Sequence, residues 1–288
     1  MPSLRTLPTD LRLFAKYHLK KRVFDHPARE TELGVVPIGF DIDAYLTVIR
    51  GFADRFDIDT LTEVGYAGRT YPMLCVRSRN RSAKTCVVVL AGVHGNEQAG
   101  LLAIPDILER FVAGSVRLVV VTPANPVGAA ELSRYNADGY DINRDFVSFD
   151  TAEARAIRDI FDSERPDFVV SLHEGPQDAT FMFANRFVNH DLARRLLAAI
   201  EQGGTTLATK DYLGMTLRPP GLAPMGRVGW VVSALWARTL AMKATNMFAG
   251  DRRIPELTLE SSWRQPDRAT RVRAHIDLVL ALVADLEN

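Results

Sequence analysis

Three short valine-rich runs constrain the fold of this chain more than any other feature of its sequence. They are Cys86 to Ala91, Val116 to Thr122 and Phe168 to Leu172, and each is apolar at nearly every position. Strands that are apolar on both faces are covered by helices on both sides, as in a mostly parallel sheet. We therefore expect a central sheet between two helical layers.

Segments with helical spacing lie between and after these runs. The predicted helices are Gln98 to Val112, Thr151 to Arg165, Asp191 to Glu201 and Asp267 to Leu286. A hairpin is predicted on either side of residues 67–70, at one edge of the sheet, and a further strand over Glu256 to Ser261. The fold class is α/β, a three-layer α/β/α sandwich with a mixed, mostly parallel sheet.

Two other segments of the chain are predicted from weaker patterns. Residues 1–60 are expected to form an N-terminal helical lead-in, with a helix over 41–56, before a main domain over 61–288. The Gly- and Pro-rich residues 214–229 are expected to form a long loop, a kind of segment that is often functional.

Composition excludes several classes of partner. The chain has 35 Lys+Arg and 35 Asp+Glu, so no field of one sign would attract nucleic acid or anionic lipid. No apolar stretch approaches the ~18 residues of a membrane span, and the N-terminus lacks the apolar core of a signal peptide. Cys75 and Cys86 lie in apolar runs and are expected to be buried thiols, which fits a cytoplasmic protein.

A histidine and a glutamate follow the first valine-rich strand. His94 and Glu97 are three residues apart in the segment Gly92-Val93-His94-Gly95-Asn96-Glu97. Ligand crevices of open α/β sheets lie at the carboxyl ends of the strands. Catalytic zinc sites use three protein ligands of His and Asp/Glu type and keep one position open. His94 and Glu97 are therefore candidate ligands, although such a pair also arises by chance.

His173 is the candidate third ligand, because it too follows an apolar strand and is soon followed by a glycine. Two histidines at the ends of two core strands favour a metal site over chance. The other histidines lie in charged or helical surroundings and are expected to be solvated or capping residues; they are His18, His26, His190 and His275.

A polar, turn-rich loop over residues 133–146 lies between the two ligand segments. Within it, Asn143 and Arg144 are flanked by Ile142 and Phe146, which are expected to anchor the loop to the core. An arginine held in this way can bind a carboxylate through two hydrogen bonds, although a solvated loop with surface arginines is the simpler alternative.

These motifs together resemble those of the zinc carboxypeptidase superfamily. The segments His94 to Glu97, Asp141 to Phe146, Leu172-His173 and Leu257 to Glu260 occur in the order and approximate spacing of that superfamily. It also includes the bacterial murein-peptide amidases and the succinylglutamate desuccinylase/aspartoacylase branch. The resemblance covers about residues 60–265.

The resemblance implies a role for each matching residue. One zinc ion per chain would be bound by His94, Glu97 and His173. Glu260 would be the general base and acid, and Arg134 would polarise the scissile carbonyl. Asn143 and Arg144 would bind a substrate carboxylate, and residues 61–288 would form a zinc-hydrolase catalytic domain.

The predicted strand over 256–261 gives independent support for Glu260. Leu257 and Leu259 alternate with Thr258 and Glu260, so burial of the leucines turns Glu260 to the other face. Glu256 shares that face and is the alternative base.

The sequence thus predicts a zinc-dependent hydrolase that cleaves an amide bond next to a free carboxylate, in a small peptide or an acyl-amino acid. An N-acyl amino acid deacylase is the alternative enzyme, and a non-catalytic carboxylate-binding module is the alternative from another class. The peptidases usually have a tyrosine that covers the substrate, for which Tyr212 is the nearest candidate. The aspartoacylase branch usually has a C-terminal β domain, whereas one predicted helix follows Glu260 here, which favours a peptidase-like unit.

Overall fold

A computed structural model describes residues 19–23, 40–211, 214–224 and 227–287. This part of the chain forms one eight-stranded sheet in the order β1-β2-β4-β3-β5-β8-β6-β7. The strands are β1 (Phe56–Tyr66), β2 (Arg69–Ser78), β3 (Thr85–Ala91), β4 (Val116–Thr122), β5 (Phe168–Gly175), β6 (Phe181–Ala184), β7 (Leu222–Pro224) and β8 (Glu256–Ser262).

The centre of the sheet is parallel, as the valine-rich runs predict. β3 pairs in parallel with β4 and β5, and β5 pairs in parallel with β8. Antiparallel pairs occur only towards the sides of the described sheet, where β2 joins β1 and β4 and where β6 joins β8. The sheet is therefore mixed and mostly parallel at its core.

Helices cover both faces, which gives the predicted three layers. One face packs against α1 (Ile42–Arg50), α2 (Gln98–Arg110), α3 (Pro126–Glu131), α5 (His190–Gln202) and α8 (Arg268–Glu287). The other packs against α4 (Ala152–Glu164) and α7 (Thr245–Asp251). Strand β3 shows the reason: Val87 and Val89 belong to the first core cluster, whereas Val88 and Leu90 belong to the second.

The first elements differ in extent from their predictions. The helix predicted over 41–56 ends at Arg50, where Gly51 is the C-cap and a turn leads into β1 at Phe56. Its phenylalanines continue the helical spacing, but Phe56 is buried as the first residue of a strand. The hairpin is confirmed with longer strands, and its turn contains Ala67 and Gly68, both at positive φ.

The region after α5 was predicted least well. The loop predicted over 214–229 contains strand β7, and α6 (Arg227–Leu240) begins within it. β6, which precedes α5, was also missed, because a strand of four residues at this side of the sheet carries no periodic pattern long enough to recognise. Tyr212, His18 and His26 lie outside the described residues.

Two predictions about buried groups have different outcomes. Cys75 and Cys86 are buried free thiols, as expected. His275, expected to be solvated or capping, is fully buried and bonds Ser261 through Nε2, because it lies on the core side of α8.

No helix in the described ranges is long and apolar enough to cross a membrane.

Candidate metal centre

Three neighbouring strands bring the predicted site residues to one edge of the sheet. His94 follows β3, His173 lies near the end of β5, and Glu260 lies in β8. In the register of the β5–β8 pair, His173 is directly opposite Glu260. The sheet thus supplies the short distances that a single site needs.

Two glycines shape the turn that carries His94. Gly92 has a φ of 73°, a left-handed conformation that side chains rarely adopt. A Cβ on Gly95 would lie 1.9 Å from the carbonyl carbon of Gly128, so only glycine allows this approach to α3. The turn can therefore aim His94 and Glu97 at the same point.

The three predicted ligands converge there. His94 Nδ1 lies 2.7 Å from Glu97 Oε1, and His173 Nδ1 lies 2.7 Å from Glu97 Oε2. The two Nδ1 atoms are 3.1 Å apart, and all three side chains are buried. Among the described residues, no other group of His, Cys, Asp and Glu is arranged to hold a metal ion.

This arrangement fits a tetrahedral metal ion. Two nitrogen ligands at roughly 2.0–2.1 Å from zinc are separated by about 3.3 Å, close to the spacing of the two Nδ1 atoms. Two imidazoles and one carboxylate also match the ligand types of catalytic zinc sites. The residues present therefore fit the zinc ion that the resemblance implies.

Asp141 orients one of the ligands. Its Oδ1 lies 3.1 Å from His94 Nε2, which leaves the Nδ1 atom of His94 to face the cluster. A carboxylate on the second ring nitrogen is the usual support of a metal-bound histidine. Asp141 begins one of the motifs in the sequence, but no role was predicted for it. A signal for it existed, since Asp141 is an acidic residue close to Asn143 and Arg144, the predicted carboxylate-binding pair that we call the clamp.

Arg134 lies beside the ligands. Its Nε and Nη2 donate to Asp141 Oδ2 at 2.9 and 2.8 Å, and its Nη1 lies 3.2 Å from His94 Nδ1. The guanidinium is held by two bonds to one carboxylate, so its orientation is fixed. The guanidinium is therefore close enough to the cluster to donate a hydrogen bond to an oxygen atom of a molecule bound there.

Charge favours the anionic forms of both carboxylates in the cluster. Burial alone would raise the pKa of Glu97, but His94 and His173 outweigh burial and lower it. Burial also opposes ionisation of Asp141, but Arg134 and His94 hold its pKa well below the usual range. Both groups are thus in the form that supports a bound cation.

Glu174, which directly follows His173, is also buried. Its Oε1 accepts bonds from Arg271 of α8 at 2.7 and 2.8 Å, and its Oε2 accepts from Ala99 N in the first turn of α2. Its own backbone N–H donates to Glu97 Oε2 at 3.2 Å. Glu174 therefore ties the ligand-bearing segments to the helical layer.

The predicted clamp residues lie in a short 3₁₀ turn, Ile142–Arg144. Ile142 and Phe146 are almost fully buried, so the anchoring expected from the sequence is confirmed. Asn143 is buried, and its Oδ1 accepts a bond from Thr245 N at 3.0 Å. The positive charge of Arg144 contributes to the pKa of both Asp141 and Glu260, which puts it within electrostatic reach of the cluster.

Glu260 and Glu256 share one face of β8, as predicted, but their surroundings differ. Burial and the charge of Glu97 raise the pKa of Glu260 well above its usual value, and Arg134 opposes them. Glu256 is fully buried and accepts bonds from Ser171, Thr245 and Thr258. Burial raises the pKa of Glu256 to about 7, against these hydroxyl bonds.

This pKa makes a prediction about stability. Below pH 4.5 Glu256 is protonated in both states, whereas between pH 4.5 and about 7 only the unfolded chain ionises. The stability that protonated Glu256 contributes to the folded state is therefore lost progressively as the pH rises from 4.5 through about 7. Glu256→Gln should raise the free energy of unfolding by about 2–3 kcal/mol more at pH 8 than at pH 5.

Urea unfolding of both proteins at the two pH values measures this difference. Glu63→Gln is the control, because it removes the same charge from an exposed position in β1. An equal effect of Glu256→Gln at pH 5 and pH 8 would contradict the prediction.

Comparisons with known proteins show what this chain is similar to. The family model for the succinylglutamate desuccinylase/aspartoacylase catalytic domain matches residues 83–211, which include every predicted site residue except Glu260. Carboxypeptidase 2 of Trichophyton rubrum is 28% identical over 122 residues, 37% of this chain and 23% of that protein. The matched segment spans about a quarter of the length of the curated relatives.

Solved structures share the fold. A protein of Shewanella amazonensis described as a metallopeptidase has a TM-score of 0.68 at 18% identity, over 85% of this chain and 93% of that one. A metallo-carboxypeptidase of Pseudomonas aeruginosa has a TM-score of 0.61 at 19% identity, over 86% and 70%. The chain thus resembles the zinc carboxypeptidase superfamily, with its succinylglutamate desuccinylase/aspartoacylase branch, as its motifs predict.

Proposed function

We propose that this protein is a zinc-dependent hydrolase that cleaves an amide bond next to a free carboxylate. The observation that carries the proposal is the convergence of one ligand atom each from His94, Glu97 and His173 within 4.8 Å of one another. Arg144 acts electrostatically on Asp141 and Glu260, and with Asn143 it would supply a guanidinium and an amide for the substrate carboxylate.

The proposed mechanism assigns one task to each group. Zinc bound by His94, Glu97 and His173 would supply Lewis acidity, which makes water a nucleophile at neutral pH. Glu260 takes a proton from the attacking water and returns it to the leaving amine. Arg134, fixed by Asp141, stabilises the negative charge that develops on the carbonyl oxygen.

Two substrate classes fit this mechanism, a peptide cut at its C-terminus and an N-acyl amino acid cut at its acyl group. The match of residues 83–211 to the desuccinylase/aspartoacylase domain favours the acyl-amino acid. The carboxypeptidase-named relatives favour the peptide. The ligand of the Pseudomonas aeruginosa enzyme, (2-guanidinoethylmercapto)succinic acid, carries carboxylates and is compatible with a clamp in either case. Hydrolysis rates on matched N-acyl amino acids and N-acyl dipeptides separate the two classes.

The clamp gives the direct test of this function. A charge-assisted hydrogen bond is worth about 1.5–3 kcal/mol, whereas a neutral amide offers the guanidinium only a weaker, neutral acceptor. Free-carboxylate substrates should therefore exceed their primary amides by at least about tenfold in kcat/KM. Arg144→Lys should remove most of this preference, because lysine keeps the charge but loses the planar fork.

The measurement is kcat/KM for an acid and its amide with wild type, Arg144→Lys and the control Arg194→Lys. Arg194 is an exposed arginine of α5, so its replacement should leave the preference unchanged. Equal rates of the wild type on acid and amide would contradict the clamp, and would favour an enzyme that cuts within longer chains.

A further inference from the structure

Glu256 is a buried carboxyl group for which the proposed mechanism has no task. Leu257 and Leu259 of β8 pack in the larger core cluster, so Glu256, Thr258 and Glu260 face the opposite side. That side also carries His173, which is paired with Glu260. Glu256 therefore lies on the same sheet face as the candidate site, about 13 Å along the strand from Glu260.

The hydrogen bonds that Glu256 makes to side chains in the described part of the chain all go to one oxygen. Oε1 accepts from Ser171 Oγ at 2.8 Å, from Thr245 Oγ1 at 3.0 Å and from Thr258 Oγ1 at 3.5 Å. Oε2 is buried and has no hydrogen-bond partner among the described residues. The shift in its pKa has burial and these three hydroxyls as causes, with no charged neighbour among them. A proton acceptor for water at the metal centre needs contact with that water, which this enclosed group lacks.

Thr245 connects this carboxyl group to the clamp. It is the first residue of α7, and its backbone N–H donates to Asn143 Oδ1 at 3.0 Å while its hydroxyl donates to Glu256 Oε1. The bond to Oδ1 determines which way the amide of Asn143 points. The Nδ2 group, a donor, is then directed away from Thr245 and can serve a carboxylate.

We propose that Glu256 is a positioning residue for the carboxylate clamp, because it fixes Thr245 and thereby sets the orientation of Asn143. This inference rests on the proposed function, since it assumes that Asn143 binds the substrate carboxylate. Without the Oε1 acceptor, the hydroxyls of Thr245 and Ser171 lose a buried partner, and the start of α7 is free to shift.

Two substitutions interrupt the connection at different points. Glu256→Ala removes the acceptor, and Thr245→Val removes only the hydroxyl while keeping the shape and the backbone N–H. Each should raise KM for the free-acid substrate by about tenfold, with kcat within about threefold of wild type, which corresponds to about 1.4 kcal/mol of lost binding. The kcat/KM for the matched amide should stay unchanged, because the amide does not use the clamp.

Three further variants act as controls. Glu256→Gln keeps the accepting oxygen and should restore KM to within about threefold of wild type. Ser171→Ala removes a neighbour that bonds the same Oε1 and lies 3.4 Å from the Thr245 hydroxyl, but it keeps the bond from Thr245 to Glu256, so the preference for acid over amide should persist. The double variant Glu256→Ala/Thr245→Val should be no worse than either single variant, since both break one connection.

The outcomes separate this inference from the proposed function. A wild-type enzyme without a preference for the acid contradicts the clamp itself. A preference that Glu256→Ala and Thr245→Val leave intact contradicts only the positioning role of Glu256. Equal losses on acid and amide indicate a purely structural role and overturn the inference as well. If Glu256→Ala fails to fold, Thr245→Val alone decides the result, because it is isosteric.

Discussion

Glu260→Gln is expected to lower kcat by on the order of a hundredfold or more, since general-base catalysis contributes about that much or more. Glutamine has nearly the same shape as glutamate but cannot accept the proton of water. The zinc content should not change, because Glu260 lies in β8 outside the group of ligand atoms. Hydrolysis rates and metal analysis of the same preparation measure both effects.

Glu256→Gln is the matched control for this experiment. Glu256 lies on the same face of the same strand, but its carboxyl group is enclosed by Ser171, Thr245 and Thr258. Its replacement should change kcat by less than about threefold, since the accepting oxygen is kept. The reverse result, with a large loss at Glu256 and a small one at Glu260, would identify Glu256 as the base.

His94→Ala should abolish zinc binding in protein that has been dialysed to a low concentration of free zinc. Loss of a residue that only supports a ligand lowers metal affinity by about 10–100-fold, so loss of a ligand should lower it further. The zinc content should fall from about one ion per chain to a small fraction, and hydrolysis should be lost with it. Chelation of the wild-type protein should have the same effect on hydrolysis.

His190→Ala provides the comparison for this measurement. His190 is the first residue of α5 and is exposed, so its replacement removes an imidazole without touching the cluster. Elemental analysis of both variants after the same dialysis gives the metal content directly. A His94→Ala protein that retained its full zinc content would show that the ligand assignment is incorrect.

Sequence patterns predicted the central strands because their constraints are local. A valine-rich run such as Cys86 to Ala91 is suited only to a strand covered on both faces, and the structure has β3 there. The same patterns predicted that His94 and His173 lie close together, since polar residues that directly follow buried strands are brought together at the edge of a parallel sheet. The alternation over Leu257 to Glu260 also predicted which side chains of β8 face the site.

The tertiary structure alone decided which groups contact one another across the sheet. The hydrogen bond between His94 and Asp141 joins a strand end to a loop 47 residues away, and no periodic pattern encodes such a pair. The same holds for Thr245, whose backbone N–H reaches Asn143 102 residues away. These contacts depend on how loops and helices pack on the finished sheet.

Burial of individual polar groups was likewise decided by packing. His275 follows charged residues in the sequence, but α8 turns it into the core against Ser261. Glu256 and Glu260 are indistinguishable from their local pattern, yet only Glu256 is enclosed by hydroxyl groups. Sequence periodicity determines which face of an element a residue occupies, because it follows from backbone geometry. What that face meets depends on the register and packing of distant segments, which only the folded chain contains.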